Sequence, residues 1–502
     1  MNRAERLARL LRVLAAIISE PGLNPLELAE KAGVSERTLR RDLAQLRDLG
    51  YEVAYTSGYE VQEKLNLEGR GGGRKRPPRA RGDDALLQAV AHAVETAGLW
   101  RESDGTAAPA ATTTARRRRR QPLEKLPLVL IPSGDADADY TYAVGTPVET
   151  GLYVRFADGD DVVVASALEI DRVRLSSKVA RKLSYAEAGY LGGDDYVEMP
   201  RIALLLLRER KLGAARVSPR LHAGYLEGMR AAGLDVVIDP EVFVAERRHK
   251  TPEEAAAIRT AQQAAEAVVR EVVRHLAAAE IRDGLLWTDG RPLTSEYLYA
   301  RASLLLGELG HACPDMIIAG SPGCAMPHFR GEGQIRANAP VIIDIFPGGR
   351  ETHMHGDLTR TVVVGDISDE VRRMHGAVLQ SLDAAIETVR AGVPAGDVHN
   401  MVCQVLVDRG FGTTTKGYEG PEGVAKMNHS TGHGVGLDVH EAPGVRGPNR
   451  APLEPGDVIT VEPGLYRLEF AGVRIEDTGM VTANGFDNFT TITRSLDPRD
   501  YL

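Results

Sequence analysis

The stretch "VIIDIFPGGRETHMHGDLTRTVVVG", residues 341–365, sets Asp344 and Asp357 at the two ends of a Gly-rich turn between apolar, β-branched runs. A carboxylate at the end of a buried strand is costly unless water or a cation faces it. Most acidic turns are solvated, so the rest of the constellation has to decide. The second half of the chain supplies it: His433 and His440 in "NHSTGHGVGLDVHEAP", Glu462 on the apolar run "VITVEPGLY", and Glu476 close to Arg474 in "GVRIEDTGMVT". Taken singly, each has an ordinary explanation as a hydrogen-bonded core histidine or a capping acid. Taken together, two Asp, one His and two Glu are five ligands. Four of them offer hard oxygen donors that can bridge, a composition suited to a pair of divalent ions such as Mn²⁺, Co²⁺, Fe²⁺ or Zn²⁺. His353 and His355, two apart in the same turn, read as exposed turn histidines rather than as a further site.

These residues need a scaffold, and hydrophobic periodicity outlines one. From residue 126 to about 246, strand-like runs such as "LVLIP", "GLYVRFA" and "DVVVAS" alternate with helical runs such as "MPRIALLLLRERKLG", ending on "LDVVIDP". This is the pattern of an α/β layer domain, and it carries no catalytic cluster of its own. A long helix should begin at Thr251 as N-cap, with Pro252 in the first position and Glu254 closing a capping box. From there the chain repeats one plan. Long helix, second helix and strand-rich segment run from 251 to about 365, and again from 368 to the end.

The N-terminal 62 residues form a separate small module. Leu7, Leu10, Leu11, Leu14, Ile17 and Ile18 recur at helical spacing, and "LNPLELAEKAGVSERTLRRDLAQLRDLGY" follows as helix, turn and helix. Ser35 is the natural N-cap of that last helix. Leu39, Leu43, Leu46 and Leu49 make its inner stripe, which turns Arg37, Thr38, Arg40 and Arg41 toward a major groove. A hairpin is expected around Ser57 and Gly58. Residues 63–125 are rich in Gly, Pro, Ala-Thr and Arg runs, with one amphipathic stretch at 85–100, and read as a flexible basic linker.

Composition excludes several classes. With 502 residues and 43% apolar content the chain has length for several cored domains. No run is long and apolar enough to span a bilayer, so no membrane partner is expected. Near the N-terminus "VLAAII" is too short for a signal h-region, and Arg3, Arg6, Arg9 and Arg12 are spread through the segment rather than clustered before it. Three scattered cysteines, Cys313, Cys324 and Cys403, suit free thiols in a cytoplasmic protein.

"GHGVGLDVHE", "VEPGLY" and "GVRIEDTGMVT" resemble the pita-bread metallopeptidases, the group of methionine aminopeptidase, Xaa-Pro aminopeptidase and prolidase. The preceding α/β region and "RRHKTPEEAAAIR" are similar to its Xaa-Pro branch, while "LAEKAGVSERTLRRDL" resembles the winged helix-turn-helix of DeoR-type and WYL-domain regulators. The fold so implied joins α/β and α+β parts. It has a winged helix-turn-helix over 1–62, the linker over 63–125, a creatinase-like α/β domain over 126–247 and a pita-bread domain over 248–502. By motif, Asp344, Asp357, His433, Glu462 and Glu476 would hold two divalent metal ions, Mn²⁺ first among the alternatives. His328 in "MPHF" and His440 would contact substrate, Glu462 would move a proton, and Arg474 would hold the carboxylates. The turn from Asp344 to Asp357 departs from the family pattern. It lacks the usual Asp-X-Gly and is two residues longer, an insertion that costs little loop entropy. The resemblance implies cleavage of Xaa-Pro bonds by a water activated between two metals, in a homodimer, with the N-terminal module contacting DNA. A regulator that uses the pita-bread domain as a ligand sensor, and a hydrolase of a non-peptide C–N bond, are the alternatives.

Overall fold

The structure is a computed structural model that describes Val13 and residues 25–32, 34–35, 38–39, 43, 53–55, 59–61, 122–134, 137–190 and 199–502. The chain divides into two compact units, Met1–Arg116 and Arg117–Leu502. In the first, helix α1 (Pro25–Ala32) precedes an antiparallel pair of β1 (Val53–Tyr55) and β2 (Tyr59–Val61), in register Tyr55 to Tyr59, while the expected turn at Ser57 and Gly58 lies outside the described residues. The Ser35 hydroxyl accepts the Thr38 N–H at 3.3 Å, the N-cap its position suggests. Leu28, Leu39 and Leu43 are buried, and so is Val13, a residue the sequence pattern did not single out. Arg37, Arg40 and Arg41, Leu46 and Leu49, and all of the expected linker except residues 122–125, lie outside the described residues.

The second unit opens with a six-stranded mixed sheet. Its strands are β3 (Leu128–Leu130), β4 (Gly151–Arg155), β5 (Asp161–Ala165), β6 (Arg181–Ser184), β7 (Ala214–Val217) and β8 (Asp235–Ile238), in the order β6-β5-β4-β3-β7-β8. The central strands are apolar through their middles, with Arg155 and Asp161 only at the strand ends, because both faces are covered. Val129, Leu152, Val154, Val162 and Val164 pack beneath helix Met199–Glu209, whereas Leu128, Leu130, Tyr153 and Val163 meet helix Ala138–Val144 and Phe243 on the other face. A short helix, Val244–Arg248, leads out of this layer.

Helix α2 (Pro252–Ala277) starts with the expected capping box: Thr251 accepts the Glu254 N–H at 3.2 Å while Glu254 accepts the Thr251 N–H at 2.8 Å. Its buried stripe of Ile258, Ala261, Ala265, Val268, Val272 and Leu276 has helical spacing; Ala265, Val268, Val272 and Leu276 pack with the first strand layer, and Ile258 meets Met354, Val435, Val458 and Phe489. Strands Glu280–Arg282, Leu285–Thr288 and Arg291–Pro292 and helix Ser295–Glu308 follow. Then comes an antiparallel sheet of β9 (Ile317–Gly320), β10 (Pro340–Ile345) and β11 (Leu358–Val363), with β10 in the centre. The same plan recurs. Helices Asp369–Thr388 and Ala395–Asp408 precede a five-stranded sheet containing β12 (Gly432–Gly434), β13 (Glu441–Val445), β14 (Val458–Val461) and β15 (Asp477–Val481), beside a second layer that ends in Ala471–Arg474.

The long turn between β10 and β11 is not idle. Gly348–Gly349 pairs with His311–Ala312, and His355 forms a bridge back to Gly348, so the turn is a folded platform. His353 and His355 differ from the expectation of exposed turn residues on one strand face. Both are half-buried, and His355 turns its backbone N–H and its ring Nδ1 toward the Gly436 carbonyl, at 2.9 and 3.2 Å.

Candidate active site

Five carboxylate- or imidazole-bearing residues converge, two of them on strands and three at positions flanking strands. Asp344 ends the central strand β10, Asp357 immediately precedes β11, His433 lies on β12, Glu462 immediately follows β14, and Glu476 stands between Arg474 and β15. All five line one cavity of about 650 Å³, together with His328, His440 and Arg474. His429, Phe346 and the Asp315–Arg330 ion pair also line it, and none of these was singled out from sequence. His429 carried a signal, since it stands four residues before His433 in "HSTGH".

Each acid is fixed by its neighbours. Helix α2 lies against the strand start: Gln262 donates to the Asp357 carbonyl at 2.9 Å and accepts the Asp357 N–H at 2.8 Å. Thr359 donates to Glu476 at 2.7 Å and accepts Arg474 Nε at 3.2 Å. Arg474 reaches Asp344 Oδ2 with Nη2 at 2.5 Å and the Tyr466 hydroxyl with Nη1 at 2.9 Å. His429 Nε2 meets that same hydroxyl at 2.9 Å. His433 Nε2 lies 3.3 Å from Glu462 Oε1 and 3.6 Å from Asp357 Oδ2, and its Nδ1 faces the Gly434 carbonyl at 3.1 Å. The His440 ring stands over that of His433, with centroids 4.2 Å apart.

The electrostatics of this cluster are those of a site short of positive charge. Burial, reinforced by Asp344 for Asp357 and by Asp357 and Glu462 for Glu476, pushes both of those carboxyls well above the usual range. Burial also acts on Glu462, but the hydrogen bond and charge of His433 overcome it and hold that acid at about 2. His433 in turn is lifted to about 9, because Glu462 and Asp357 outweigh its desolvation. Burial lowers both His440 and His429.

The donor set fits divalent metal. Asp357, His433 and Glu476 offer ligand atoms within 4.8 Å of one another. Asp344 Oδ1 is buried in the same cavity with no hydrogen-bond partner, an orphaned acceptor of the kind a cation satisfies. Hard carboxylate oxygens plus one imidazole suit Mn²⁺, Fe²⁺, Co²⁺ or Zn²⁺ better than a soft thiolate-seeking ion.

An α/β layer domain followed by a duplicated helix-and-strand catalytic domain is the pita-bread architecture of the metallopeptidases. Residues 256–483 match metallopeptidase family M24 and residues 9–60 match an HTH domain, so the chain carries an M24 peptidase domain behind a helix-turn-helix domain. An Xaa-Pro dipeptidase of Pyrococcus horikoshii is 31% identical over 265 residues, covering 52% of this chain and 66% of that protein. One of Pyrococcus furiosus is 34% identical over 183 residues, 36% of this chain and 49% of that protein. The chain thus spans less than two thirds of the length of these curated relatives. Among solved structures, prolidase from P. furiosus superposes with a TM-score of 0.61 at 24% identity, covering 73% of this chain and 97% of that one. X-Pro aminopeptidase from Thermotoga maritima gives 0.61 at 20% identity, covering 74% and 97%. At these identities the likeness concerns the fold.

Proposed function

We propose that the chain is a dinuclear metal-dependent peptidase that cleaves Xaa-Pro bonds, with Asp344, Asp357, His433, Glu462 and Glu476 as metal ligands. The observation that carries this reading is the convergence of all five, with His328 and His440, on one cavity. Bound divalent ions supply an acidified water and a polarised carbonyl. The protein's own groups do the rest. Glu462, held ionised beside His433, is placed to take a proton and pass it toward the leaving nitrogen. His440, in this reading, hydrogen-bonds the oxygen on which charge develops, and His328 contacts the substrate around the scissile bond. Arg474 keeps Asp344 oriented and neutralises part of the carboxylate cluster. The names of the relatives at 31% and 34% identity support an Xaa-Pro substrate. A pita-bread domain used only as a sensor would have no need of a complete ligand set.

The reading includes a division of the chain at residues 62, 125 and 247, a homodimer, and a cytoplasmic location. Among the described residues no helix is long and apolar enough to cross a membrane. Residues 1–62 are read as a DNA-contacting module through Arg37, Thr38, Arg40 and Arg41, supported by the HTH match and by Ser35 capping the helix that carries Thr38. Purified protein should release divalent metal on chelation, lose hydrolysis of Ala-Pro and Ala-Pro-Ala, and recover it with Mn²⁺ or Co²⁺. Metal-replete protein that leaves every Xaa-Pro peptide intact would overturn the peptidase reading.

A further inference from the structure

His440 is exposed at the cavity, and among the described residues its ring makes no hydrogen bond. Its position over His433 is therefore inherited from the backbone of the 436–441 loop. That loop is closed by the Gly436 N–H on the Asp438 carbonyl at 3.0 Å. Val439 and His440 face the cavity, while the carboxylates on either side of them, Asp438 and Glu441, face the α/β domain.

There they meet three cations. Arg247, at 9% side-chain exposure, donates to Asp438 at 2.6 Å and to Glu441 at 2.5 Å, and its other terminal nitrogen donates to Asp139 of the α/β domain at 2.9 Å. Lys250, at 2% exposure, reaches the second oxygen of Glu441 at 2.7 Å. Arg220, on the loop after β7, forks onto both oxygens of Asp438 at 3.0 and 2.5 Å. Three acids and three bases balance, and the planar guanidinium forks fix direction as well as distance. Nothing in the proposed chemistry uses these groups, yet they form a charge cluster, buried at Asp139, Arg247, Lys250 and Glu441, directly behind a cavity-lining histidine.

We propose that Arg247 is a positioning residue for the peptidase reaction. With Arg220 it ties the 436–441 loop to the α/β domain, while Lys250, just beyond that domain, holds the second oxygen of Glu441, and so it sets the height and direction of the His440 imidazole over the cavity. The inference rests on the peptidase reading of that cavity. It makes the α/β domain a working part of the site, although that domain contributes no side chain to the cavity lining.

The test uses the full-length, metal-loaded protein. Arg247→Met should lower kcat by about 100-fold, the scale of an ångström-sized misplacement, with KM changed less than about threefold and bound metal unchanged. Arg247→Lys should restore part of the loss, since it returns a charge without the fork. Amide exchange should quicken across 436–441 while β12 and β14 keep their protection. Arg220→Met, at a half-exposed position that tolerates change, replaces Arg247→Met if that variant does not fold, with the same pattern at smaller amplitude. Combined with His440→Ala, it should cost nothing beyond His440→Ala alone, because both act through one ring. Wild-type kcat with unchanged exchange in these variants, or full additivity with His440→Ala, would overturn the proposal. Absence of Xaa-Pro turnover in the wild type would instead defeat the peptidase reading, and the exchange measurement would still decide whether the clamp orders the loop.

Discussion

Glu476 shows how much one carboxylate does in this site. It is almost fully buried, accepts from Thr359, and is pushed well above the ordinary range by burial and by three neighbouring acids. A cation reverses that balance by favouring the ionised form. Glu476→Gln should therefore lose activity by at least about 100-fold, as a neutral amide cannot neutralise two ions. Bound metal measured by atomic emission should fall with it. Unchanged turnover would show that the ligand set is misplaced. His399 carries a second residue-scale expectation. Burial first, and His429 second, lower it to about 4, and it sits 3.0 Å from Thr431 and 2.8 Å from Thr415. Because the folded value lies below the ordinary 6.5, the neutral ring favours the fold above about pH 6.5. That contribution is lost as pH falls toward 4. Melting temperature should drop over that window, and more shallowly in His399→Gln; parallel curves for the two proteins would refute the assignment.

At the scale of elements, the site depends on a joint between the two repeats. Arg360 on β11 is fully buried and donates to the carbonyls of Thr359, Glu476, Ile492 and Thr493 and to Asp477 Oδ1 at 3.0 Å. It thereby fastens the first strand layer to the segment bearing Glu476 at the start of β15. Arg360→Met leaves Asp477 without this partner and four carbonyls short of a donor, which should cost about 3–5 kcal/mol. A denaturation midpoint within error of wild type would contradict that role. The approach of helix α2 to the start of β11 is as tight. A Cβ at Gly356 would lie 2.6 Å from the Gln262 nitrogen and 2.7 Å from the Ala261 carbonyl carbon, both backbone atoms that no rotamer change can move. Gly356→Ala should cost about 1–3 kcal/mol and weaken metal binding by displacing Asp357.

For the molecule as a whole, the two compact units predict separable activities. Removing residues 1–116 should leave Xaa-Pro hydrolysis within about twofold of the full chain, since every cavity residue lies beyond that point, and should abolish binding to DNA measured at fixed salt. Loss of turnover in the truncated chain, or DNA binding that survives it, would refute the division of labour.

The capping box at Thr251, the alternation of strand and helical runs in the α/β region, the repeat of helices and strands, and the five residues that meet in the cavity were legible in the chain itself. Caps, periodicity and motif spacing are local properties, written within a few residues of one another. Three features were not legible: the folded turn that buries His353 and His355, the joint made by Arg360, and the Arg220–Arg247–Lys250 clamp behind His440. Each joins residues tens to more than two hundred positions apart. A buried arginine or a half-buried histidine has the same letter as an exposed one. Only the packed fold, by removing water from these charges and bringing their partners within hydrogen-bond reach, decides which of them matter.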